Sequence, residues 1–215
     1  MNVQEATTRR LPDLKERHLP ENCRETINTI LKETYGYEQF RNLEIYDDLS
    51  KGKEKLCISQ GQLIENVILE VEKAWKGETQ VDNILLTAPT GSGKSLLFQL
   101  PAIYLGKEYN LLTIVVSPLK ALIVDQVESL QELGYTRVAY ASSDLSPEQK
   151  MEVYRQVREG EIDLFYLSPE LLLSYDIKHF VGERRIGLVV VDEAHTVTTW
   201  GKEFRVDYWF LGRYL

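Results

Sequence analysis

Two cysteines, Cys23 and Cys57, are all that the sequence holds, and neither has a C-x-x-C partner or a neighbouring histidine. Neither a zinc cluster nor a disulfide framework is indicated. No apolar run approaches the ~20 residues needed to cross a bilayer, and the N-terminal stretch MNVQEATTRRLPDLKER lacks the apolar core of a secretory signal. The chain is expected to be cytoplasmic, with no membrane partner. A basic excess is missing too: 33 acidic residues against 25 basic give a net charge of −8, and the stretches 1–60, 61–160 and 161–215 are each acidic. That excludes a large positive field for non-specific nucleic-acid binding, so any such partner must be held by local Lys, Arg, amide and aromatic contacts. Internal repeats and low-complexity tracts are absent.

What remains is a chain of 215 residues, 43% hydrophobic and 27% charged, large enough for one full core and a small appendage. The first twenty residues, with Pro12 and Pro20, read as a loosely ordered arm. A helix is predicted over 21–34, with Ile27, Ile30 and Leu31 on one face and Gly36 at its end. The polar stretch DDLSKGKEK (47–55) reads as an exposed loop or inserted segment, and apolar spacing predicts another helix over 62–75.

Residues 84–86 then read as the end of a buried strand. Further strands at 111–118, 137–142, 163–169 and 187–195 alternate with helices at about 119–133, 147–158 and 170–180. This alternation predicts an α/β domain whose mainly parallel sheet carries helices on both faces, with a small N-terminal helical appendage. The expected division is 1–60 for arm and appendage and 61–215 for the main domain.

Between the first strand and the following helix lies APTGSGKS, residues 88–95. Gly91 and Gly93 permit backbone conformations and close approaches that a Cβ forbids, so successive N–H groups, from Thr90 and Ser92 onward, can point at one anion. The phosphate then rests on the helix N-terminus. Lys94 would reach the β- and γ-phosphates of ATP, and the Ser95 hydroxyl would hold Mg²⁺. The general pattern G-x-x-x-x-G-K-[ST] starts with Gly, where this chain has Ala88.

A second site follows about a hundred residues later. LVVVDEAH (188–195) is an aliphatic strand ending in two carboxylates and an imidazole. In a doubly wound sheet such groups gather at the carboxyl ends of the strands, beside the phosphate loop. Asp192 fits the carboxylate that positions Mg²⁺, Glu193 the group that orients or deprotonates the attacking water, and His195 the residue that carries the signal onward.

DEAH in this setting resembles superfamily 2 helicases, and the flanking segments resemble the RecQ-like DNA helicases in particular. TILKETYGYEQFR (29–41) is similar to the element preceding their core, GKSLLFQLPAIYL (93–105) to their extended phosphate loop, VVSPLKALIVDQV (115–127) to motif Ia, and FYLSPELLL (165–173) to motif Ib. TTWGKEFRVDY (198–208) resembles their aromatic-rich loop.

The resemblance, from about residue 27 to the end, implies a RecA-like P-loop NTPase lobe that hydrolyses ATP with Mg²⁺ and grips single-stranded or partly duplex DNA, moving 3′ to 5′. It implies that Trp200, Phe204 and Arg205 couple DNA contact to hydrolysis, a ring stacking on a base. Ser117, Pro118 and Lys120, with Ser168 and Pro169, would lie along the DNA backbone.

The family's adenine-reading glutamine is replaced at its expected spacing by Glu44, which leaves Gln62 as the substitute or as a plain solvated residue, with Tyr37 or Arg41 available to stack on the base. Lys202 and Val206 also depart from the expected aromatic loop. A second RecA-like lobe, with its arginine fingers, is expected from a longer protein or another chain, and without it turnover should be slow. A different reading is a nucleotide-gated binding or regulatory module without turnover of its own.

Overall fold

A computed structural model describes residues 19–46, 55–86 and 91–193. In order, the elements are helix α1 (Glu25–Tyr35), strands β1 (Asn42–Tyr46) and β2 (Lys55–Ser59), helices α2 (Gln60–Trp75) and α3 (Leu96–Tyr109), strand β3 (Leu112–Val116), helix α4 (Lys120–Glu132), strand β4 (Val138–Ala141), helix α5 (Pro147–Arg158), strand β5 (Leu164–Leu167), helices α6 (Pro169–Ser174) and α7 (Ile177–Val181), and strand β6 (Ile186–Val191).

The main sheet runs β4-β5-β3-β6 with every pair parallel. Because successive strand residues face opposite ways, the two faces carry different cores. Val115, Leu164 and Tyr166 pack with α1, α2, α3 and α4, whereas Ile114, Val116, Phe165 and Leu167 pack with α5, α6 and α7. Helix α3, buried from Leu96 through Gly106, lies deepest in the first layer. Gly106 lets it approach Asp163, whose Cγ lies 2.3 Å from where a Cβ would stand. The α/β reading with helices on both faces is what the structure shows.

Three local features differ from expectation. The polar stretch 47–54 lies outside the described residues, but it is flanked by an antiparallel hairpin, β1 with β2, that sequence pattern did not predict. The helix expected over 170–180 is two short helices broken at Tyr175, whose φ of −144° is extended. Residues 80–86 form no strand: Ile84 is 37% and Leu85 66% exposed, and among the described residues β6 pairs only with β3. No helix among the described residues is long and apolar enough to cross a membrane.

The N-terminal helix is fastened to the main layer as well as packed on it. Just before α1, the Arg24 guanidinium donates to Glu65 Oε1 at 2.6 Å and to Glu72 Oε1 at 2.6 Å, and also reaches the Tyr104 hydroxyl. Removing the guanidinium with Arg24→Ala leaves Glu65, only 6% exposed, without its cationic partner. A loss of about 2–4 kcal/mol is expected, discounted for the partial exposure of Arg24, with a fall in melting temperature of roughly 5–10 °C.

The hydrogen bond from Arg24 holds the Glu72 carboxyl below its ordinary value of 4.5. A carboxyl depressed in the folded state stabilises fully above its unfolded value, and that stabilisation is lost as pH falls through the folded value. Thermal melts of wild type and Arg24→Ala should therefore converge as pH drops below about 4.5, and a constant gap would count against this clamp.

Candidate functional site

The glycine-rich loop enters α3 through Ser95, which already has helical dihedrals (φ −57°, ψ −36°) and makes no side-chain capping bond. Its hydroxyl is therefore not spent on the helix end. Gly91 (φ 79°) and Gly93 (φ 78°) both take the left-handed backbone that side chains resist. Such a backbone at the positive end of a 14-residue helix suits an anion. Ser92 Oγ is buried without a partner among the described residues. Thr90 lies outside the described residues.

The residue that holds this loop is one that sequence reasoning missed. Gln60, 2% exposed, donates from Nε2 to the carbonyls of Ser92 (3.1 Å) and Gly93 (3.4 Å) and accepts at Oε1 from the Arg41 N–H (3.1 Å). A second bond, Gln60 N–H to the Arg41 carbonyl at 2.9 Å, joins the same two residues. Gln60 therefore ties the segment after α1 to the phosphate loop.

Gln62 does not face this loop. Its Oε1 accepts from the Ser59 N–H (3.0 Å), closing a capping box at the start of α2, and its Nε2 donates to the Pro20 carbonyl (3.1 Å). The signal was readable, since S-x-x-Q over 59–62 marks a capping box and commits the second glutamine to the helix end.

Beside the loop opens a cavity of about 220 Å³. Tyr35, Tyr37, Arg41 and Gln60 line it together with Gly93, Ser95 and Gln99. Tyr37 is 51% exposed and stacks on Tyr35, with ring centres 6.3 Å apart and planes 17° apart. Of the three residues offered for base contact, Tyr37 and Arg41 line this cavity and Gln62 does not.

Strand β6 brings up the carboxylates. Asp192 N–H donates to the Val116 carbonyl at 2.9 Å, extending the pairing with β3, and the Glu193 N–H donates to Asp192 Oδ1 at 2.9 Å. Glu193 has φ 50°, a left-handed conformation that is strained for a residue with a side chain. His195 lies outside the described residues.

Register sets Asp192 beside its neighbours at the sheet's carboxyl end. Val116 pairs with Val191 on one side and with Leu167 on the other, so Ser168, Ser117 and Asp192 follow on adjacent strands. Helix α3, which begins at the phosphate loop, packs on β3, β5 and β6. Both motifs therefore open on one end of the sheet.

The residues offered for nucleic-acid contact fall into three groups. Ser117 (2% exposed) and Ser168 (1%) are buried, and neither hydroxyl has a partner among the described residues. Pro118 and Pro169 are buried as well. Lys120 reaches solvent, and its ammonium donates to Asp144 Oδ1 at 2.9 Å and to Ser143 Oγ. Trp200, Phe204 and Arg205 lie outside the described residues.

Comparison with known proteins agrees with this arrangement. Residues 63–213 match the family model described as DEAD/DEAH box helicase. The chain is 30% identical over 187 residues to the ATP-dependent DNA helicase RecQ of Haemophilus influenzae and 34% identical over 191 residues to that of Synechocystis. These alignments take in 87% and 88% of this chain but 25% and 33% of those proteins, so the chain spans a quarter to a third of their length.

Among solved structures, the DUF1998 helicase MrfA bound to DNA and AMPPNP superposes with a TM-score of 0.50 at 22% identity, over 84% of this chain and 22% of that one. That likeness is one of fold, a RecA-like α/β lobe. With a matched model over most of its length, and the glycine loop and Asp-Glu pair facing one sheet end, the chain belongs to the DEAD/DEAH box helicase family and resembles its RecQ members.

Proposed function

We propose that this chain is the first motor lobe of an ATP-dependent DNA helicase, coupling ATP hydrolysis to 3′-to-5′ movement on single-stranded DNA. The observation that carries the reading is the shared sheet end. The Gly91–Ser95 loop stands at the start of α3, and Asp192 and Glu193 follow β6, which α3 packs against.

The residues present fit a nucleotide and its metal. Gly93 leaves no room for a Cβ, which would lie 2.7 Å from Gln60 Nε2, and Ser95 keeps its hydroxyl out of the helix cap. Ser95 and Asp192 would hold Mg²⁺, which neutralises phosphate charge when bound. Lys94 would take the β- and γ-phosphates, Tyr37 and Arg41 would bracket the base, and Gln60 would keep the loop in shape. The Glu193 carboxylate would orient the attacking water and accept its proton. Trp200, Phe204 and Arg205 would register DNA.

A second RecA-like lobe completes the nucleotide cleft in this proposal, in keeping with the share of its relatives' length that the chain spans. Turnover by the 215-residue chain should then be slow, because an arginine finger supplied from outside is worth roughly 10³–10⁵ in rate.

The test measures ATP turnover and nucleotide binding with and without oligothymidylate. DNA-stimulated turnover supports the motor reading, and nucleotide binding that responds to DNA without any turnover supports a nucleotide-gated binding or regulatory module instead. Lys120 supplies an internal control. Asp144→Asn frees its ammonium and removes a negative charge, so DNA affinity should rise about two- to five-fold at low salt, the range of an exposed ion pair, and the gain should fade as salt is raised. An unchanged affinity would remove Lys120 from the DNA face.

A further inference from the structure

Gln99 occupies a position that none of the assigned roles explains. It lies one turn into α3, its N–H bonded to the Ser95 carbonyl at 2.9 Å, and its side chain lines the cavity beside the phosphate loop while being only 5% exposed. All of the amide is engaged. Oε1 accepts from the Tyr35 hydroxyl (2.9 Å), and Nε2 donates to Gln126 Oε1 (2.7 Å) and to the Tyr166 hydroxyl (3.2 Å). An amide nitrogen has two hydrogens, and both are used.

The partners lie on different parts of the site. Tyr35 closes α1, lines the cavity and stacks on the half-exposed Tyr37. Gln126 lies on α4, the helix that starts at Lys120, and Tyr166 lies on β5 two residues before Ser168. Tyr166 is 1% exposed; burial raises its hydroxyl pKa, and the nearby negative charge of Asp192 adds to the rise. An unpartnered buried polar group costs about 1–3 kcal/mol. The amide therefore cannot turn toward or away from the cavity without disturbing its other partners, and the cluster keeps or changes its arrangement as a unit.

We propose that Gln99 is a positioning residue that makes occupancy of the nucleotide cavity felt at the ends of β3 and β5, beside Lys120 of the DNA face in the proposed function, on which this inference rests. A base stacked on Tyr37 bears on Tyr35, and Tyr35 bears on the Gln99 amide. Through Gln126 and Tyr166 the same amide sets the lean of α4 and the side-chain layer of β5. By reciprocity, DNA drawn against those elements must alter nucleotide affinity by the same factor.

The experiment measures the dissociation constant of AMPPNP with and without saturating oligothymidylate, for the 215-residue chain and for Tyr166→Phe, Gln126→Leu, the double variant and Gln99→Leu. Neither Tyr166 nor Gln126 touches the cavity, and both substitutions keep most of the packed volume. Wild type is expected to show a ratio of at least about 5, within the usual range of coupling between sites. The double variant and Gln99→Leu should bring that ratio below about 2, with each single change between. Nucleotide affinity of the double variant without DNA should stay within about two-fold of wild type.

A wild-type ratio that persists in Gln99→Leu and the double variant overturns the role of Gln99 and leaves the motor reading intact. A tenfold loss of DNA-free affinity in the double variant also overturns it, because the cluster would then be cavity wall and nothing more. A wild-type ratio of 1 overturns the motor reading, and this inference with it.

Discussion

Glutamine in place of Glu193 is expected to lower ATP turnover by about 10²–10⁴, the usual worth of a positioned general base, while AMPPNP affinity stays within a few-fold of wild type. The charge goes and the shape stays, so binding and proton transfer are separated. Phosphate release in single-turnover and steady-state assays, beside a binding titration, checks it. Undiminished turnover would remove Glu193 from the chemistry.

The backbone adds a second readout that turnover alone lacks. Glu193 sits at φ 50°, where a residue with a Cβ is strained by roughly 1–2 kcal/mol. Glycine relieves that strain but stiffens less of the unfolded chain, so Glu193→Gly should gain roughly 0.5–1 kcal/mol of stability as its activity disappears. A site kept strained at a cost in stability is what a functional constraint looks like.

The second large effect is expected at Gly93. Alanine there must adopt φ 78° and place its Cβ 2.7 Å from Gln60 Nε2, an atom that is buried and bonded to the carbonyls of Ser92 and Gly93. The Gln60 amide has to leave, and the loop loses its shape together with its tether. Nucleotide affinity should fall about 10- to 100-fold, for one lost tether and one strained residue. Gln60→Ala removes the colliding atom beforehand. Gly93→Ala should therefore cost less in the Gln60→Ala background than in wild type, a departure from additivity expected of touching residues. Strictly additive losses would mean that the two residues act separately.

Sequence pattern revealed the parts whose physics is local. The alternation from 111 to 191 appears as β3 to β6 with α4 and α5 at the expected places. The glycine loop and the Asp-Glu pair were readable because each depends on residue types at fixed spacing next to a strand. The β1–β2 hairpin was hidden because NLEIY and KLCIS mix polar with apolar residues, unlike the aliphatic runs of the main sheet, and the polar run between them resembled any exposed loop.

Choosing between two glutamines was a question of where α2 starts. Ser59 as N-cap sends Gln62 to the cap and Gln60 to the phosphate loop. Nor could sequence show that Ser117 and Ser168, one residue beyond their strands, turn inward rather than out. Residues 84–86 have the composition of a buried strand, yet a strand exists only by pairing, and no described neighbour pairs with them.

The side of β6 away from β3 gives Asp192 and Glu193 an unusual neighbourhood. From Ile186 to Val191 the strand offers one row of backbone donors and acceptors to β3, and its opposite row has no partner among the described residues. A ribbon of chain zipped onto that row would twist β6 as it registers, and the last rung would close next to Asp192. In the proposed reading, whatever occupies this seam would tune Asp192 through the backbone, with no need to touch nucleotide.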